Sequence, residues 1–581
     1  MPTIYNKFPE VAIQGYDTQA WQNWDTISAE LNASIATRSR TVLVIDCYPG
    51  VRLAELEQTL LPSLGAALII NVESARHDKQ TLHELLARNL TDDRVFGVLS
   101  CHHLDEFFDA DKLTELRRQI DAVTQGLVVV YGSGAALTHP GDLLVYADLP
   151  RWEIQQRMRH DGLGNWGAVN QDEDILRRYK RAFFIEWRIF DRHKTPLLRR
   201  SDYLLDTTIK NAPAMVSGDA LRAALKHTTT RPFRVAPFFD PGIWGGQWMK
   251  QRFNLDPSAP NYAWCFDCVP EENSLLLRFG KVRIEIPSQD LVLLYPSALL
   301  GEKVHARFGA EFPIRFDFLD TIGGQNLSLQ VHPLTEYIQQ QFGMHYTQDE
   351  SYYILDAEPN AVVYLGTQTG VDPQDMLDCL KAANQGEQPF DDSRFINQIP
   401  ARKHDHFLIP AGTVHCSGAG TMVLEISATP YIFTFKLWDW GRLGLDGLPR
   451  PVHLEHGAQV IDWQRDTQWV HDHLVNRTET LGEGPGWREE RTGLHEREFI
   501  ETRRHWFSAP VIHHTRGGVN VLNLVEGAQA LVDSPDGAFE PFVVHYAETF
   551  IIPAAVGKYR ISPYGASAGQ SLATIKAWVR G

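Results

Sequence analysis

The chain of 581 residues is poor in cysteine, in positive charge and in long apolar runs, and each shortage excludes something. Its six cysteines, Cys47, Cys101, Cys265, Cys268, Cys379 and Cys416, are too scattered for a disulfide scaffold in a chain of this size, and they fit a reducing compartment. Cys265 and Cys268 form a C-x-x-C, but no second pair follows at zinc-ribbon spacing, so the pair reads as structural. Lys and Arg number 55 against 72 Asp and Glu, a formal charge of −17. That balance argues against a large nucleic-acid or anionic-membrane surface, which calls for a basic face, but leaves room for a small basic pocket. No apolar run approaches the roughly 20 residues that span a bilayer. The opening MPTIYNKFPEV has neither the basic nor the apolar region of a signal peptide. The expectation is a cytoplasmic protein without nucleic-acid or membrane partners; the oligomeric state is not legible.

What is present is an ordinary globular mixture, 43% hydrophobic and 22% charged, in a chain long enough for several cores. Residues 1–230 alternate short apolar runs, TVLVIDCYPG (41–50), AALIINV (66–72), RVFGVLSC (94–101), GLVVVYGSGAAL (126–137) and DLLVYADL (142–149), with helical stretches such as DADKLTELRRQIDAV (109–123). That pattern predicts an α/β domain with a parallel sheet covered on both faces. From about residue 231 short strands dominate, with frequent Gly and Pro, which predicts β-sandwich or barrel architecture. We divide this part into a domain over 231–450, with a mainly helical insert near 370–400, and a second over 451–581. HFLIPAGTVHCSGAG (406–420) and TFIIPAAVGKYRIS (549–562) are a weak internal repeat, as if one β unit were used twice.

The chemistry gathers in the first β domain. NLSLQVHP (326–333) alternates like a strand, placing Ser328, Gln330 and His332 on one face. In IPAGTVH a Pro-Gly turn leads to His415, a P-x-G-x-x-H pattern similar to the second metal motif of the cupin superfamily. Glu350 heads an apolar strand between the two. Gln330, His332, Glu350 and His415 make an N/O-rich ligand set that suits one zinc ion, with positions left for water or substrate oxygens. The second repeat carries Lys558 in place of His415, so it is expected to be metal-free.

NLSLQVHP, DESYYILDAEPNAVVYLG, IPAGTVHC, VLEISATP, LWDWGR and the earlier PGIWGGQWM together resemble the type I mannose-6-phosphate isomerases, zinc-dependent cupins, over about residues 232–581. The resemblance implies a double-cupin (jelly-roll) fold, those four zinc ligands, and interconversion of mannose 6-phosphate and fructose 6-phosphate through a cis-enediolate. It implies catalytic roles for Glu425, for Lys436 where the family usually has arginine, and for Arg442. The sequence departs from the family where Asp317 and Gln348 stand in place of usual lysines. Less specifically, DLLVYADLPRWEIQQRMRHD (142–161) with RRYKRAFFIEWRIFDRHK (177–194) resembles uridine-kinase-like P-loop enzymes, but no G-x-x-x-x-G-K-[ST] cradle follows the first strand, so this domain reads as a degenerate kinase-like fold. Arg157, Arg159, Arg177, Arg178, Lys180 and Arg181 are read as a solvated helix face. Two other functions compete with a sugar-phosphate isomerase: an iron-dependent cupin oxygenase, against which Gln330 counts, and a silent sugar-binding regulator, which the missing lysines would suit.

Overall fold

The computed structural model describes residues 4–580 except 445, 446, 448, 449 and 494. The chain forms two compact units that do not follow breaks at 230 and 450. One comprises Glu10–Thr228 with Glu271–Tyr295; the other comprises the residues up to Pro9, Thr229–Pro270 and Pro296 onward. The exchange has a local cause in each direction. Ser274–Phe279 and Val282–Pro287 form a hairpin, turned at Gly280 with φ 54°, that pairs in parallel with Glu10–Ile13. Conversely, Tyr5 stacks on Phe253 with ring centroids 4.1 Å apart and donates to Asp267, while the Asn6 N–H donates to Glu548 at 2.6 Å.

The first of these units is α/β. Its main sheet has the order Ala20–Gln22, Ala214–Ser217, Tyr203–Asp206, Leu143–Asp148, Arg40–Cys47, Gly126–Gly132, Leu68–Asn71, parallel from Tyr203–Asp206 to Leu68–Asn71. Val42, Leu43, Val44 and Ile45 are all buried, as a strand covered on both faces requires. Two expectations fail here. RVFGVLSC is not a strand: the Val98 and Ser100 N–H groups donate to the carbonyls of Asn89, near a helix end, and Phe184, in a π-helical turn, so the segment is held by helices rather than by a sheet neighbour. Half of the basic run is not a solvated face either, although Arg159 is exposed. Arg157 donates to the carbonyls of Gly50, Thr207 and Thr208, Arg178 to those of Glu173, Met158 and Leu163, and Lys180 to those of Thr91 and Asp93. These three side chains are buried and spend their donors on chain carbonyls that would otherwise be orphaned.

The second unit contains two sandwiches built to one plan. The first has β1 (Ile314–Asp320), β2 (Leu329–Val331), β3 (Glu350–Ala357), β4 (Val362–Thr367), β5 (Ile396–Pro400), β6 (His406–Ile409), β7 (His415–Ser417) and β8 (Thr421–Ala428). The second has β9 (Ile500–Phe507), β10 (Val511–His514), β11 (Asn520–Glu526), β12 (Gln529–Asp533), β13 (Phe542–His545), β14 (Thr549–Ile552), β15 (Lys558–Pro563) and β16 (Leu572–Val579). In the first, the sheets run β6-β3-β8-β1 and β5-β4-β7-β2; in the second, β14-β11-β16-β9 and β13-β12-β15-β10. Each strand of the first thus has its counterpart eight strands later, and the repeat read from two short segments extends over the whole sandwich.

Additional strands widen the sheets: Phe238–Asp240 and Trp264–Cys268 beyond β1, Phe435–Trp438 beyond β2, and the hairpin Glu479–Gly484 with Trp487–Gly493 beyond β9. Between β4 and β5 lie the helices Pro373–Asn384 and Asp392–Phe395, where the helical insert is expected. Pro373 opens the longer helix and Asp372 caps it by accepting from the Asp375 N–H. Helices Leu454–Val460 and Thr467–His473 follow the first sandwich rather than opening the second: Arg465 between them donates to the Pro410 carbonyl at 2.5 Å. Cys265 and Cys268 are both buried and unpaired. Among the described residues no helix is long and apolar enough to cross a membrane.

Candidate metal centre

Three strand beginnings converge in the first sandwich. Gln330 on β2 pairs across the sheet with His415, the first residue of β7, and His332 follows two residues after Gln330. The facing sheet supplies Glu350 as the first residue of β3, opposite Ser427 on β8. The turn before β7 is fixed by Gly412 at φ 89°, whose N–H donates to the His332 carbonyl at 2.9 Å and so ties the two histidine segments together. His332, Glu350 and His415 each offer a ligand atom, and these atoms lie within 4.8 Å of one another. His415 Nε2 is 2.7 Å from one carboxylate oxygen of Glu350, and His332 Nε2 is 3.2 Å from the other.

The surroundings suit a cation. His332 Nδ1 sits 3.3 Å from the Phe433 carbonyl and His415 Nδ1 2.9 Å from the Thr413 carbonyl, which makes each Nδ1 the donor and turns the Nε2 lone pair of a neutral ring toward the carboxylate. All three side chains are at most 1% exposed. His332 Nε2 and Glu350 Oε1 are buried without a hydrogen-bond partner among the described residues. Lone pairs facing a buried carboxylate are a costly arrangement with nothing between them. The Gln330 amide nitrogen is 3.3 Å from His415 Nε2, and the amide oxygen takes that place when the group turns over.

Glu425 lies on β8 within the same buried face. It accepts from Arg315 at 3.2 Å, Gln348 at 3.1 Å and Ser427 at 2.9 Å, and Asp317 stands directly opposite it on β1. Burial first, then Asp317 and Glu350, push its carboxyl well above the ordinary value. Lys436 is the cross-strand neighbour of Gln330 and makes no side-chain hydrogen bond or ion pair among the described residues. Burial lowers its ammonium to about 7, with Arg450 and Arg442 adding to the effect and Asp439 opposing it. Arg442 is committed elsewhere: it pairs with Asp439 at 2.5 Å and donates to the Asn326 carbonyl at 2.7 Å. Gln348, a replaced lysine in the sequence, bridges Glu350 at 3.3 Å and Glu425. The sequence places Ser328 on the face of Gln330 and His332 without giving it a partner, and here it donates to Asp439 at 3.0 Å; what sequence reasoning missed are the carbonyls of Thr413 and Phe433. Carbonyls have no sequence signal at all.

Comparison with known proteins gives different results for the two ends of the chain. Residues 23–230 match the model of a domain of unknown function (DUF8485). Over 235 residues, 40% of this chain and 69% of the relative, the sequence is 24% identical to the mannose-6-phosphate isomerase ManA of Bacillus subtilis. It is 26% identical over 221 residues, 38% of this chain and 64% of the relative, to the mannose-6-phosphate isomerase of Streptococcus mutans. Among solved structures, the mannose 6-phosphate isomerase of Bacillus subtilis aligns at 18% identity with a TM-score of 0.48, covering 60% of this chain and 99% of that one. A zinc-bound mannose 6-phosphate isomerase aligns at 15% identity with a TM-score of 0.46, covering 60% and 100%. The chain is therefore homologous to mannose-6-phosphate isomerases over about 40% of its length, and it carries a buried His/Glu/His group able to hold a metal.

Proposed function

We propose that this protein is a zinc-dependent aldose–ketose isomerase acting on a sugar phosphate, with mannose 6-phosphate and fructose 6-phosphate as the first pair to test. The observation that carries the reading is the convergence of His332, Glu350 and His415, with unsatisfied ligand atoms, in the part of the chain homologous to such isomerases. Gln330 completes the ligand set. Zinc bound there would supply Lewis acidity toward the sugar carbonyl. The chain's own contribution is to move a proton between C1 and C2 and to stabilise the charge that develops on the enediolate. Lys436, adjacent to Gln330 and unpaired, is the cation for that charge; Glu425 is the buried carboxyl in reach of the same face. Arg442, bound to Asp439 and Asn326, shapes the wall rather than meeting the substrate. For the N-terminal unit, the parallel strands in the order 2-3-1-4-5 of their appearance support the degenerate kinase-like reading.

One observation favours the regulatory alternative. Asp317 and Glu425 face each other where a lysine is the family's usual neighbour, which leaves fewer cations for a phosphorylated substrate. Assaying zinc-loaded protein against a panel of hexose phosphates separates the two. Turnover of any aldose phosphate to its ketose supports the isomerase; binding without turnover across the panel assigns a regulator.

A further inference from the structure

The second sandwich has a cavity of about 290 Å³ at the same end as the metal centre of the first. Strand pairing fixes the correspondence between the two. Asp317 pairs with Glu425, and Arg503 pairs with Lys576, each pair being the fourth residue of β1 or β9 opposite the fifth of β8 or β16. Gln330 pairs with His415, the first residue of β7, and His514 pairs with Lys558, the first residue of β15. Glu350 opens β3 and Asn520 opens β11; His332 and Arg516 each follow two residues after the paired position. All six counterparts, Arg503, His514, Arg516, Asn520, Lys558 and Lys576, line the cavity. The fold has kept the site and exchanged its contents, with cations where the first sandwich has Asp317 and Glu425 and an amide where it has Glu350.

The exchange is more than a change of surface. Inward positions run from a dry core into the cavity along single strands: Phe507 then His505 then Arg503 on β9, and Leu572 then Thr574 then Lys576 on β16. Lys576 is 8% exposed and has no hydrogen bond or ion pair among the described residues; its ammonium lies 5.1 Å from the Trp578 ring. His513, 4% exposed, lines the cavity with its Nε2 unpartnered. The one acidic lining residue, Glu489, is taken up by Arg503 at 2.9 Å and His505 at 3.1 Å. A buried ammonium without an ion pair, as at Lys576, is expensive unless a ligand supplies the charge. Burial lowers Lys576 to about 8, with Glu489 and Glu501 opposing the effect and Arg503 and Arg516 adding to it.

We propose that this cavity is a binding site for a small molecule carrying a phosphate group. Lys558 reaches the exposed Asp536 at 3.9 Å, but Lys576 and Arg516 still outnumber the acid that lines the cavity, so a dianion matches this site better than a monocarboxylate, and a phosphate monoester carries about −1.5 to −2 at neutral pH. The volume is at the low end of ligand clefts, which run from roughly 300 Å³, so the occupant is a metabolite and not a nucleotide.

The test is calorimetric titration of the full-length protein with inorganic phosphate, glycerol 3-phosphate and, as a monoanionic control, acetate. One saturable phosphate-group site is expected that survives His415→Ala. Lys576→Met and the exposed Arg516→Gln should each weaken it about tenfold or more, the worth of a charge-assisted hydrogen bond. Tighter binding of glycerol 3-phosphate than of phosphate identifies a metabolite, and equal binding identifies the free ion; both support the site. Lys576→Met removes a buried unpaired charge, so an unchanged or raised Tm certifies its fold. No phosphate-dependent heat, acetate binding as tightly, or binding insensitive to both substitutions would overturn the proposal. Binding lost in His415→Ala but kept in Lys576→Met would also overturn it, by assigning the heat to the first sandwich, and would leave the isomerase reading intact.

Discussion

At the scale of single residues, the metal centre makes the sharpest predictions. His332→Ala and His415→Ala each remove one nitrogen aimed at Glu350, so each should lose most of the bound metal, read by elemental analysis of the purified protein. Full occupancy in either variant would rule out the ligand set. Lys436→Ala should leave the metal in place and lower kcat by about 10²–10³, the usual worth of one group stabilising developing negative charge. Lys436→Arg should retain more activity than Lys436→Ala; equal losses would mean that charge is not its contribution. The convergence of Gln330, His332 and His415 was legible because Q-x-H and P-x-G-x-x-H place polar side chains at strand ends. Arg157 and Lys180 were misjudged because a basic residue on a helix looks the same in sequence whether its head meets water or, as here, buried carbonyls. Arg442 illustrates the same limit, since only the fold shows that Asp439 and Asn326 already occupy it.

At the scale of elements, periodicity recovered most strands, and its failures have a common cause. RVFGVLSC has the composition of a buried strand, but its N–H groups can be satisfied by helix carbonyls as well as by a sheet, and composition cannot tell the two apart. The crossing from Trp264–Cys268 to Ser274–Phe279 was equally illegible, although it carries a buried ion cluster: Glu271 pairs with Arg151 at 2.6 Å and with Arg188 at 2.5 Å. Burial raises the Glu271 carboxyl, but Arg188 and Arg151 outweigh it and bring it to about 2. A carboxyl lowered on folding stabilises the folded state above its unfolded pKa, and that contribution is lost as pH falls through the folded value. It is therefore complete above about 4.5 and gone near 2. Glu271→Gln should cost about 3 kcal/mol at pH 7, and the gap to wild type should close between pH 4.5 and 2 in denaturant titrations. A constant gap across that range would mean that the charge of Glu271 contributes nothing.

At the scale of the whole molecule, the two units share one chain that passes between them four times, and no composition shift marked the places. A fragment of residues 231–581 keeps the hairpin of Ser274–Phe279 and Val282–Pro287 but lacks its partner strand Glu10–Ile13, leaving Leu275, Leu277, Ile284 and Ile286, buried in the intact chain, without cover. It also lacks Tyr5 and the Asn6 N–H, which meet Asp267 and Glu548. That fragment should be less soluble than the full chain and melt at a lower temperature, by light scattering and thermal unfolding. An equally soluble fragment with an unchanged melting temperature would mean that the exchanged segments contribute little.

The bond from Asn6 to Glu548 spans 542 residues, and it also sets a clock. At a synthesis rate of roughly 5–20 residues per second, the beginning of the chain must wait on the order of half a minute to two minutes for that partner to leave the ribosome. During that interval the Asn6 N–H lacks its native acceptor, although Phe253 and Asp267, the partners of Tyr5, emerge about halfway through. The α/β unit can close once residue 295 has emerged, so the ordering of birth favours it as the first to fold, with the bond from Asn6 to Glu548 among the last to form.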